Sequence, residues 1–191
     1  MVPCAKIENR KCMKKALYIF TGVLLAACTP KNNPVKPSVL ETELTQGTMA
    51  FYGQYYHGLA QNVVSLDLYS KEITFDSLGY IQGNGTNLYL SDIFLSLSDT
   101  VPAMGTYLCD TTATEGTFLP GIDFEGNPTG TYLLQIQDAA ISKIILCSDS
   151  SFVLSRDGDT TDIRFHLISD KQQYDVHYRG VLKYEDRRQH L

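Results

Sequence analysis

Cys109 and Cys147 are the two cysteines beyond residue 28, and they stand 38 residues apart. A disulfide closing a loop of that length would stabilise a fold by about 3–4 kcal/mol in a chain-entropy treatment. It requires their Cα atoms to come within about 7 Å. The alternative is two separately buried thiols. As nucleophiles both are poorly equipped, because no histidine lies close in sequence and no helix start is at hand to lower a thiol pKa.

Other residue types that could do chemistry are scattered. Asp157, Asp159 and Asp162 crowd into RDGDTTD, but the glycine comes too early for a helix-loop-helix calcium loop and no glutamate closes it. Asp123 and Glu125 in PGIDFEGNPTG read as another turn. His57, His166 and His177 follow no His-x-His or His-Glu-x-x-His spacing, so no motif supports a zinc site. Serines are plentiful, yet Gly-x-Ser-x-Gly does not occur. No pattern calls for a cofactor or a metal, and no catalytic constellation is expected. The densest aromatic run is Phe51-Tyr52-Gly53-Gln54-Tyr55-Tyr56. Tyr52, Tyr55 and Tyr56 form a candidate aromatic binding surface, since tyrosine offers both a ring face and a hydroxyl. Strand alternation would put Tyr55 on the Phe51 face and Tyr52 with Tyr56 on the other. Absence of Trp argues against a strong sugar-stacking platform.

The elements that must position these residues are strands. Val64, Leu66 and Leu68 share one face, as do Ile163, Phe165 and Leu167, and Tyr174, Val176 and Tyr178. This period-two alternation predicts half-buried antiparallel strands. Between Leu90 and Ile93 the parity slips, which predicts a one-residue bulge near Ser91-Asp92. Gly83-Asn84-Gly85, Pro120-Gly121, Gly126-Asn127-Pro128 and Asp157-Gly158 punctuate the pattern, the last as a hairpin signal. The expected architecture is all-β: an antiparallel meander of about eight to nine strands, as a β-sandwich or up-and-down barrel. The expected domain spans 47–185, with a short tail over 186–191.

The chain has 191 residues and a formal net charge of −5. The first 27 residues hold five basic residues against Glu8 alone; without them 11 basic and 20 acidic residues remain, a net charge of about −9. A domain this acidic repels phosphate backbones, which excludes nucleic acid as an expected partner.

Residues 14–28 read KKALYIFTGVLLAAC. The apolar run from Ala16 to Ala27 is too short for a bilayer core of roughly 30 Å, which needs about 20 helical residues. It suits a secretory signal spanning 1–27, with Met13 as an alternative start. Leu25-Ala26-Ala27-Cys28 resembles the lipobox of bacterial lipoproteins. The resemblance implies cleavage between Ala27 and Cys28 and lipid attachment to Cys28, with several acyl chains giving stable anchoring in a membrane. Thr29 in place of Asp implies onward transport, so the expected location is the cell envelope, lipid-anchored at the outer membrane and facing the periplasm or the cell surface. Residues 28–46, with three prolines, read as the lipidated cysteine and a flexible linker.

The run from Ser151 to Asp186, with Tyr178-Arg179-Gly180 near its end, resembles the closing meander of small all-β envelope lipoproteins of unknown function. That implies a non-catalytic binding or accessory module, with a carbohydrate or protein ligand expected. The alternatives are a hydrolase of envelope or extracellular polymers and a structural subunit of an envelope assembly. Cys28→Ser is expected to leave an uncleaved, lipid-free precursor. Mass spectrometry of the wild-type membrane protein should show an acylated N-terminal Cys28; a mature chain starting elsewhere without lipid contradicts the assignment.

Overall fold

A computed structural model describes residues 39–56, 58–169 and 172–188. Ala27, Cys28, the leader, the linker up to residue 38 and His57 lie outside the described residues. The described chain is all-β. In chain order the strands are β1 (Val39–Leu44), β2 (Gln46–Gly53), β3 (Asn62–Tyr69), β4 (Thr74–Phe75), β5 (Ile81–Gln82), β6 (Gly85–Leu95), β7 (Gly105–Cys109) and β8 (Thr117–Phe118). They continue with β9 (Ile122–Phe124), β10 (Asn127–Thr129), β11 (Tyr132–Gln137), β12 (Ala140–Leu146), β13 (Ser151–Asp157), β14 (Thr160–Ser169), β15 (Gln172–Gly180) and β16 (Lys183–Asp186).

Twelve of these strands make one sheet, which curls into a half-barrel. Its main path runs β1-β15-β14-β13-β7-β8-β6-β3-β2-β16, with β11 and β12 added beside β6; β4–β5 and β9–β10 are separate hairpins. The expected antiparallel meander of eight or nine strands is thereby corrected to a mixed sheet of twelve. Three pairs are parallel: β1 with β15, β16 with β2, and β7 with β8. The first two arise because segments 39–53 and 172–186 lie side by side in the same direction. Leu44 pairs with Tyr178 and, after a one-residue shift, Thr48 pairs with Lys183. Alternation along a strand reports which face is buried and is silent about the direction of its neighbour.

The domain also enters the sheet ahead of the expected start at residue 47. Val39–Leu44 forms an edge strand whose residues are mostly exposed, with Leu44 fully buried at its end. Its apolar residues, Val39, Leu40 and Leu44, fall on both parities, so no period-two alternation distinguishes it from a linker. The expected hairpin at Asp157-Gly158 is present, with Asp157 paired to Thr160. So is the bulge: Leu66 pairs with Leu90 and Val64 with Ile93, leaving Ser91-Asp92 opposite Ser65.

The inner face carries one continuous core drawn from both halves of the path. Phe51, Leu66 and Leu90 come from β2, β3 and β6, and Phe152, Phe165 and Tyr178 from β13, β14 and β15. Phe118 joins the halves, its ring 5.3 Å from Phe152 and 5.8 Å from Phe165. Each such side chain contributes roughly 1.5–3 kcal/mol by leaving water. A smaller cluster, Ile73, Leu134 and Ile136 with Tyr69, Ile81 and Tyr132, is separate from this core.

Where the terminal ladder shifts register, two glycines permit the close approach. A Cβ on Gly180 would lie 2.7 Å from the Thr45 carbonyl oxygen, and one on Gly47 would lie 2.7 Å from Leu68 Cδ2 and 2.8 Å from Leu182 Cδ2. Tyr178 packs into the same joint, and its buried hydroxyl has no hydrogen-bond partner among the described residues. Gly180→Ala is therefore expected to destabilise by roughly 1–3 kcal/mol, because the obstacle is backbone. Tyr178→Phe, which removes an unpaired buried hydroxyl, should instead hold or raise stability by about 1 kcal/mol. Urea titration of both variants checks the pair of opposite signs.

Candidate functional site

The strand pairing lays out a polar row on the opposite face from the main core. Thr48, Asp67, Tyr89 and Tyr132 are successive partners across β2, β3, β6 and β11. Asp67 is largely withdrawn from water; the Tyr69 hydroxyl donates to it, as does Asn87 Nδ2 at 2.6 Å. Burial pushes its carboxyl above the usual carboxylate range, against the lowering effect of those two donors. The Tyr89 and Tyr132 rings lie 5.4 Å apart at 33°. Burial drives the Tyr89 hydroxyl up to about 12, so it is a neutral phenol at physiological pH.

Beside this row the chain delivers three more tyrosines. The alternation expected through Tyr56 ends at Gly53, whose φ is 65° and whose carbonyl accepts the Tyr55 amide in a tight turn at 2.9 Å. Phe51 stays in the core, while Tyr55 swings round to join Tyr52 and Tyr56. The structure thus brings together all three tyrosines of the expected aromatic surface. Tyr55 stands edge-on to Tyr56, with centroids 5.0 Å apart at 87°, and 5.9 Å from Tyr52 at 63°.

Tyr52, Tyr55, Tyr56, Tyr89 and Tyr132 line a cleft of about 380 Å³ with Ser91, Asp92, Pro128 and Thr129 of β10, and Gly130. That volume lies in the range of small-ligand sites. Asp92 owes its place to the β6 bulge, where it adopts φ 50°, an uncommon conformation for a residue with a Cβ. Its Oδ2 accepts the Tyr56 hydroxyl at 2.8 Å. Burial first, and this carboxylate second, raise the Tyr56 hydroxyl well above the ordinary phenol value. Sequence reasoning missed Tyr89, Tyr132 and Asp92 as members of the site. The bulge was the available signal for Asp92; Tyr89 and Tyr132 meet only through the β6–β11 pairing.

A second groove, also about 380 Å³, lies over β1, β14 and β15 between Glu41, Glu43, Arg164, His166, Asp175 and His177. Both of its histidines are held by carboxylates. His166 Nδ1 is 2.6 Å from Asp175 Oδ1. His177 Nδ1 is 3.0 Å from Glu43 Oε2, and its Nε2 is 3.0 Å from Asp162 Oδ2. Carboxylates only accept, so a proton on each ring nitrogen satisfies both contacts and the pair of carboxylates favours the imidazolium form of His177. The hydrogen bond to Asp162, then that to Glu43, raise its pKa above the ordinary 6.5 against a lowering by burial. These internal pairings favour the tyrosine cleft as the place for a ligand.

The remaining sequence-derived residues fall into structural roles. Cys147 is fully buried, Cys109 is half-buried, and their sulfurs lie 3.8 Å apart as free thiols. The Cys147 thiol donates to Cys109, which lowers the Cys109 pKa and raises that of Cys147. Asp123 accepts the Gly126 amide at 2.7 Å in the β9–β10 turn, where Glu125 adopts φ 52°. Asp157 ends β13, Asp159 lies in the turn that follows, and Asp162 serves His177. Among the described residues no group of three or more His, Cys, Asp or Glu is arranged to hold a metal ion.

His177 links β15 to β1 and β14, so its protonation bears on how firmly the first strand is held. Its pKa is raised on folding, so its contribution is fully present below the unfolded value and is lost as pH rises through the folded value. The difference in stability between wild type and His177→Asn is expected to shrink from pH 5.5 to pH 8.5 in roughly that sense. Urea titrations across that range check it; a difference that is flat or grows with pH contradicts the pairing.

No known protein family, no curated protein and no solved structure matches this chain.

Proposed function

We propose that the protein is a lipid-anchored envelope lipoprotein that acts as a non-catalytic binding or accessory module, with the tyrosine cleft as its ligand site. The anchor rests on Leu25-Ala26-Ala27-Cys28 and the polar linker that follows it. The observation that carries the binding reading is the convergence of five tyrosines and Asp92 in one cleft, built from β2, β6, β10, β11 and the turn after Gly53. Phenols pushed upward in pKa offer hydrogen bonds and ring faces; they supply no base poised near neutral pH. In an oxidising envelope the adjacent Cys109 and Cys147 thiols would close to a disulfide, tying β7 to the end of β12.

A specific observation favours the structural-subunit reading as the second choice. Among the described residues β12 pairs only with β11, and Ile141 and Ile144 on it are exposed. An open apolar edge invites another strand.

A thermal-shift screen of neutral oligosaccharides, amines and short peptides on the detergent-solubilised protein tests the cleft. At least one class is expected to raise Tm, and Tyr55→Ala and Tyr132→Ala should each weaken its binding on the order of tenfold. A ligand bound equally well by both variants removes the cleft as the site.

A further inference from the structure

The ring geometry and charge of the cleft limit what it can hold. A sugar ring lies best on a flat platform, made by neighbouring aromatic faces in nearly one plane. Here Tyr55 stands at 87° to Tyr56 and at 63° to Tyr52, so these rings are walls meeting at corners. Tyr89 and Tyr132, at 33° to each other, extend the lining beside them. The face of an aromatic ring is the negative end of its quadrupole, and faces set around a corner sum their potential at one place.

The charges add to this. Asp92 is the one charged residue among the described residues lining the cleft. Asp67 lies in the strand next to Tyr89, directly opposite it in the ladder. The nearby basic group, Arg187, has its Nη1 3.5 Å from the Tyr52 hydroxyl, but its Nη2 is held 2.8 Å from Glu185 Oε2. The processed chain is itself strongly acidic. An anionic ligand would meet the Asp92 carboxylate in the lining and the acidic balance of the chain around it.

We infer that the cleft binds an organic cation of the alkylammonium class, with its methylated nitrogen between the tyrosine faces and Asp92 as counter-charge. This rests on the cleft being the ligand site and adds the chemistry of the ligand. A quaternary nitrogen suits the site because it needs no hydrogen bond acceptor at each substituent, and ring faces replace its weak hydration shell. The same group occurs on free solutes and on phospholipid headgroups, and Asp92 would disfavour a phosphate held close to the nitrogen.

Isothermal titration of the detergent-solubilised full chain with choline and with its uncharged isostere, 3,3-dimethylbutan-1-ol, separates charge from shape. Choline is expected to bind on the order of tenfold more tightly or better. Asp92→Asn should erase most of that preference, and it should fold, because Asn tolerates a positive φ at least as well as Asp. Tyr55→Leu, a change on an exposed turn, should weaken choline by a similar factor without touching the sheet. Glycerophosphocholine binding more weakly than choline assigns the site to free solutes, and binding more tightly assigns it to headgroups; either supports the cation. Equal binding of the isostere, or no binding of choline, overturns the proposal. If neutral oligosaccharides bind and lose affinity in Tyr55→Ala and Tyr132→Ala while choline does not bind, the cation is refuted and the cleft stands as the binding site. If no ligand depends on the cleft residues, both readings fall.

Discussion

Segments 39–53 and 172–186 come from opposite ends of the domain and run side by side as one parallel ladder, and the curl of the whole sheet depends on that contact. On one side β15 continues into β14; on the other β2 continues into β3. The path therefore departs from and returns to the same pair of segments. Its inner face becomes a single core in which β2, β3 and β6 meet β13, β14 and β15. The ladder stays close through its register shift because Gly47 and Gly180 lack the Cβ atoms that would collide there. Parallel pairing of distant segments carries a large loop-closure cost, so the burial of Leu44, Phe51, Tyr174, Val176 and Tyr178 has to offset it.

The same sheet that buries its inner face presents a second surface that is only partly covered, and the β6 bulge is what turns that surface into a cleft. One extra residue opposite Ser65 rotates Asp92 into a positive φ and directs its carboxylate to Tyr56. Bulges re-aim side chains at the cost of one unpaired residue. Gly53 does comparable work on β2, ending the strand so that three tyrosines can gather on one side. The lining is therefore a product of two interruptions in otherwise regular strands.

Electrostatics across the molecule follow one theme, the accommodation of excess carboxylate. Asp67 is shielded by Tyr69 and Asn87, Glu185 and Asp186 by Arg187 and Arg188, and Glu43 and Asp162 share the His177 ring. Exposed pairs of this kind add little stability individually, since water and salt screen them. Their larger effect is on location, because they leave the tyrosine cleft as a place where aromatic rings and a carboxylate stand together with no basic side chain among its described lining residues.

The sequence by itself determined the all-β class, the β13–β14 hairpin, the bulge at Ser91-Asp92, and the residues that face the core on β3, β14 and β15. These depend on alternation, parity and turn chemistry, which act between residues a few positions apart. It also marked Tyr52, Tyr55 and Tyr56 as a surface, although strand parity alone would have divided them. Only the tertiary structure decided that β1 belongs to the sheet, that the terminal segments pair in parallel, and that Tyr89, Tyr132 and Asp92 complete the cleft. It likewise decided that the Cys109 and Cys147 sulfurs meet at 3.8 Å. The physical reason is that strand partners are chosen by which faces can be buried together across the whole chain. A backbone ladder will accept almost any strand in register, so the choice leaves no local mark in the residues that make it.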